Sequence, residues 1–235
     1  MSAAYADSFA KRGELLFRSL SYFRDYEDAG VRGDPNEGTR VHSPTGGLKI
    51  TKVATGEELT LPHRFESTAN EDDIFVCCFS TAFDPVLAKR FSADVCVEIK
   101  DTSALIARIR NALALRSSVK NKLLAFGPVK YYEHTDQPII DWALPERIAL
   151  SKHISFSWQQ EYRIAFSVNG AFDVENVTLR LVTEPRGKNQ RTAAYPQRIL
   201  KLGNISRMCT VHVFSNGAQP ALPADGPRPA GSARR

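Results

Sequence analysis

Apolar and polar positions alternate over short stretches along most of this chain, and runs with a helical period are few. Leu15-Leu-Phe-Arg18 predicts a strand, and residues 19–26 a helical turn behind a short, partly helical lead-in at 1–11. Residues 48–53 and 58–61 predict a hairpin closed around Ala54-Thr-Gly-Glu57. The run Ile74-Phe-Val-Cys-Cys-Phe-Ser80-Thr81 stays apolar up to Ser80, the pattern of a central strand that ends in polar residues. Residues 94–99 alternate as a further strand. Asp101 or Thr102 then caps a predicted helix to Leu115, with Leu105, Ile106, Ile109, Ala112 and Leu113 on one stripe. A strand at 129–133 and a helix at 139–150, restarted at Pro145, come next. The segment Trp158-Gln-Gln-Glu-Tyr-Arg-Ile-Ala-Phe166 predicts a strand on which Gln159 and Glu161 share a face. Residues 174–182 alternate well enough to pair with it as a hairpin, and 208–214 form a last strand. Turn formers crowd 30–38 and 62–73, which predicts loops.

Strands outnumber helices and few helices separate them. The class is therefore α+β, with a mixed, largely antiparallel sheet core and a few helices. One domain is expected over 1–214, followed by a disordered tail at 215–235 made mostly of Pro, Gly, Ala and Arg. Composition changes this picture little: 43% hydrophobic and 24% charged residues suit an ordinary soluble protein. No apolar run approaches the roughly 20 residues of a membrane span, and the first residues do not read as a signal peptide. Cys77, Cys78, Cys96 and Cys209 sit in apolar runs without metal spacing, so buried, reduced thiols and a cytoplasmic location are expected. A net charge of +5 suits a polyanionic partner, although no dense Lys/Arg block marks a nucleic-acid groove.

The candidate chemistry is polar punctuation in apolar strands: Arg18, then Ser80-Thr81, then Gln159 and Glu161. Two polar groups side by side on an aromatic strand suit a pocket wall, or an edge strand whose outer face is solvated. Ser80-Thr81 suits a pocket rim, or a cap on the turn before Pro85. Asp34, Glu37, Asp72, Asp73 and Glu161, with Lys152, supply the residue types of a magnesium nuclease, but their spacing does not require one. The five histidines show no paired zinc spacing, and no Gly-rich phosphate loop or Gly-x-Ser-x-Gly elbow is present.

Two resemblances gather these marks. The order Arg18, Ser80-Thr81, Gln159-x-Glu161 resembles the toxin-type ADP-ribosyltransferases, with Ala82 where that pattern has a further Ser. The resemblance implies a split-sheet fold and NAD as substrate. It makes Arg18 the dinucleotide holder, Ser80 and Thr81 the shapers of the ribose pocket, Glu161 the catalytic carboxylate and Gln159 the residue that orients an acceptor, protein or nucleic acid. A fixed carboxylate suits that chemistry, because cleaving the glycosidic bond of NAD builds positive charge on the ribose. The second resemblance covers residues 14–167: Asp34-Pro-Asn-Glu37, Cys78-Phe-Ser80, and Lys152 followed by Trp158-x-x-Glu161-Tyr-Arg163. This set is similar to an uncharacterised family of bacterial and phage proteins and implies no activity of its own. Together they suggest a toxin or phage-defence effector, with a non-enzymatic binding or regulatory module as the alternative.

Overall fold

The structure, a computed structural model, describes residues 1–25, 31–119, 123–139, 141–182 and 194–214; the predicted tail lies outside them. Helix α1 (Ala3–Arg12) ends at Gly13, whose φ of 62° turns the chain straight into β1 (Glu14–Ser19). Any side chain there would strike the Gly203 carbonyl. The Ser19 hydroxyl then accepts from the Tyr22 amide and starts the short α2 (Leu20–Arg24). Three strands follow, β2 (Thr39–His42) and the hairpin β3 (Leu48–Thr51) and β4 (Glu58–Leu61). Next come β5 (Arg64–Thr68), β6 (Ile74–Ser80), α3 (Pro85–Arg90) and β7 (Val95–Ile99). The longest helix is α4 (Thr102–Ala114), which Asp101 caps by accepting from the Ala104 amide. Strands β8 (Leu124–Pro128) and β9 (Lys130–Tyr132) lead to α5 (Pro145–Ala149) and β10 (Ser151–His153). The chain then runs through β11 (Glu161–Ser167), β12 (Thr178–Val182), β13 (Gln197–Lys201) and β14 (Cys209–Val213).

Strands β13-β1-β6-β11-β8 form an antiparallel sheet at the centre of this α+β fold. Its two faces follow from alternation. Leu15, Phe17, Phe75, Ile164, Phe166 and Leu200 point to one side, under Leu105, Ile106, Ile109 and Leu113 of α4. Each large apolar side chain buried there contributes about 1.5–3 kcal/mol. Val76 and Ala165 point to the other side, where Leu20, Ile148, Ala149 and Phe172 cover them. A second sheet, β12-β5-β2, and the pair β14-β7 are also antiparallel, whereas β9 and β10 run parallel. Among the described residues no helix is long and apolar enough to cross a membrane.

Several expectations need correction. Residues 158–160 are not strand: Ile154–Gln159 is a 3-10 turn and Gln160 has a left-handed φ of 44°, so β11 begins at Glu161. The 174–182 segment does not pair with β11, because β6 and β8 already occupy both edges of that strand. It pairs instead with β5, where Arg180 meets the buried Glu66 at 2.7 Å. That strand lies inside the expected loop 62–73, as alternation there is masked by polar residues that are nonetheless buried. The expected helix at 139–150 shrinks to Pro145–Ala149, as proline supplies a first turn but disfavours helix before it. None of the four cysteines is fully buried as expected: Cys78 is exposed, Cys77, Cys96 and Cys209 are half-buried, and all four thiols are free.

Candidate functional site

A groove of about 1040 Å³ opens where the polar end of β6 meets the start of β11. Its walls come from β6, α3, β7, the start of α4, and the 3-10 turn before β11. One side is apolar and aromatic. Phe83 is stacked 5.6 Å from Phe214 and sits 4.8 Å from the His212 ring, with Leu87, Val97 and Leu105 further in. The other side is polar and carries Ser80, Thr81, Lys152, Gln159, Glu161 and Arg32.

The polar side rests on a buried charge network. Arg163, fully buried on β11, is gripped by Glu37 through Nη1–Oε1 at 2.5 Å and Nη2–Oε2 at 2.8 Å. Its Nε donates to Glu161 Oε1 at 2.9 Å, and its Nη1 also donates to the Ala149 carbonyl. Lys152 Nζ reaches Glu161 Oε2 at 3.3 Å and Gln159 Oε1 at 2.8 Å, while Gln159 Nε2 donates to the Val31 carbonyl at 2.6 Å. Asp34, also buried, sits in the loop that carries Glu37 and accepts from the Asn36 amide.

Protonation follows from this arrangement. Burial pushes the Glu161 carboxyl up, but the charges of Arg163 and Lys152 outweigh it and hold it down at about 2. Burial, seconded by the negative charge of Glu37, pushes Asp34 up to about 6, only partly offset by the Asn36 amide, Lys152 and Arg163.

The structure brings four of the five predicted site residues to this groove: Ser80, Thr81, Gln159 and Glu161 line it. Glu161 faces Ser80 directly across the β6–β11 ladder. Gln159 arrives by a different route from the one expected. Alternation along a strand does not align it with Glu161; the 3-10 turn does, and Lys152 ties the two together. Ser80 and Thr81 have a structural task as well, since both hydroxyls donate to the Gln160 carbonyl and pin its left-handed turn. The Ser80 hydroxyl also accepts from the Ala82 amide at 3.1 Å, capping the turn before Pro85 as the sequence allowed, while Asp84 caps α3 itself.

Arg18 is elsewhere. It pairs with Val76, four residues along β6 from Ser80, which places it about 13 Å from the Glu161 level. It shares that face of the sheet, but its guanidinium lies 4.4 Å from the Tyr22 ring centre and is not part of the groove lining. Arg32 is the arginine at the groove, donating to the Phe91 carbonyl. Lys152, Arg163 and Glu37 belong to the centre that Gln159 and Glu161 alone did not outline. Their signal in the sequence is the loop Asp34-Pro-Asn-Glu37 and the ending Lys152…Glu161-Tyr-Arg163, which the fold brings together. The scattered carboxylates do not assemble for a metal: among the described residues no group of three or more His, Cys, Asp or Glu side chains could hold one. The chain matches no protein-family model, no curated protein and no solved structure.

Proposed function

We propose that the groove binds a small molecule combining a flat ring with a hydroxylated, polar part, and that the protein acts as a binding module. One observation carries this reading: Phe83 and its aromatic neighbours line the same groove, of about 1040 Å³, as the polar side chains of Ser80, Thr81, Gln159 and Glu161. That volume is of the size that encloses most of a ligand. Arg163, Lys152 and the Cys78 thiol together occupy the roughly four acceptor positions of the Glu161 carboxylate, so a ribose-type hydroxyl reaches it only by displacing one of them. NAD is the first ligand to test, by calorimetry on the full chain with AMP and nicotinamide riboside alongside. Micromolar binding of any of the three supports the reading, and no heat from all three refutes it.

The second reading is NAD-dependent ADP-ribosyl transfer to a macromolecular acceptor. Its support is the meeting of Ser80, Thr81, Gln159 and Glu161 around one cavity. A lone carboxylate about 4 Å from a developing unit charge contributes roughly 4 kcal/mol at an effective dielectric of about 20. Lys152 at 3.3 Å and Arg163 at 2.9 Å oppose that field, which is why binding ranks above catalysis. Nicotinamide release separates the two. Binding without release favours the module. Release that is lost in Glu161→Gln, with NAD affinity kept, favours the transferase.

A further inference from the structure

A second cavity, of about 350 Å³, lies on the far flank of α4 and is lined by Arg108, Asn204, Ile205, Ser206, Arg207 and Met208. Two guanidinium groups and no carboxylate line it, so its preference is for an anion. Arg108 is held in place, its Nη1 donating to the carbonyls of Leu202 at 3.3 Å and Asn204 at 2.8 Å. The remaining donors of its five-donor fork stay available. Ser206 fixes the Asn204 side chain by donating from both its amide and its hydroxyl to Oδ1, which leaves the Asn204 amide nitrogen as a donor. Arg207 is exposed beside it.

The positive field extends beyond this cavity. Helix α4 carries Arg108 and Arg110 and no Asp or Glu. On α4 the outward row, Ser103, Ala107, Asn111 and Ala114, is exposed, short and uncharged, which lets a partner approach the helix closely. Arg110 projects from the opposite flank to Arg108, with its guanidinium 5.4 Å from the centre of the partly exposed Phe126 ring. A single phosphate would need only the cavity. Arginines on both flanks of a helix that carries no carboxylate, one of them beside an exposed aromatic ring, suit a chain of phosphates with bases to stack.

We propose that this face of α4 binds single-stranded nucleic acid, with a backbone phosphate seated between Arg108 and Arg207 and a base stacked at Arg110 and Phe126. The test is fluorescence anisotropy of the full chain with a labelled 20-nucleotide single strand, repeated from 25 to 200 mM salt. The wild-type protein should bind with affinity that falls steeply with salt. Arg207→Ala should weaken binding about tenfold and reduce the log–log salt slope by about 0.7, one phosphate contact on a single strand. Arg108→Ala should act in the same way, and Phe126→Ala should weaken binding without changing the slope. Lys49→Ala/Lys52→Ala, on the distant β3–β4 hairpin, should change neither. No binding at 25 mM salt would overturn the proposal. So would full affinity in Arg207→Ala, equal loss in the hairpin variant, or displacement of the strand by inorganic phosphate at its own binding concentration, which would mark a free-phosphate site.

Discussion

Replacing Asp34 by Asn should stabilise this protein at neutral pH, although it removes a buried charge beside the Glu37–Arg163–Glu161 network. Asp34 is 2% exposed, and burial and Glu37 together raise it from an ordinary 3.8 to about 6. A carboxyl whose folded value is raised binds its proton more tightly in the folded state. Its favourable contribution is therefore complete below about pH 3.8 and is lost as pH rises through about 6. A difference of about two units corresponds to about 3 kcal/mol. Asn keeps the oxygen that accepts from the Asn36 amide at 2.9 Å, and it carries no charge to desolvate. Urea unfolding of both proteins at pH 4, 5, 6, 7 and 8 measures the effect. The two stabilities should agree near pH 4, and the variant should gain progressively, by about 3 kcal/mol at pH 8. An offset that is constant with pH, or a variant less stable than wild type at pH 8, would refute the electrostatic account of this loop.

Two further substitutions test the network and its surroundings. Glu37→Gln leaves Arg163 buried with Glu161 as its remaining carboxylate, and should cost about 3–5 kcal/mol in chemical denaturation; a loss below about 1 kcal/mol would show that Glu37 contributes little. Trp158 is half-buried between the Phe91 ring at 5.6 Å and the Arg90 guanidinium at 4.7 Å, not enclosed in the core. Trp158→Ala should accordingly cost about 2 kcal/mol rather than the roughly 3–5 of a core aromatic, and a value in that higher range would contradict the half-buried placement.

The sequence by itself determined the elements marked by a local pattern. Strand β1 and helix α4 are legible because each sets one apolar face against one core, β6 because it is apolar on both faces, and β7, β14 and the β3–β4 hairpin because local alternation and a turn mark them without deep burial. Strands β2 and β5 were not legible: Arg40, His42, Glu66 and Ser67 are polar yet buried, and only tertiary partners such as Arg180 make that tolerable. The same division runs through the candidate site. Polarity within apolar runs pointed to Ser80, Thr81, Gln159 and Glu161, but the identical signal at Arg18 led to a different part of the sheet. Which of these groups meet depends on strand order and register, and these are set by long-range pairing rather than by local pattern. The tertiary structure alone placed Glu37 against Arg163 across 126 residues of chain. It did so because a buried guanidinium must find carboxylates wherever the fold can bring them.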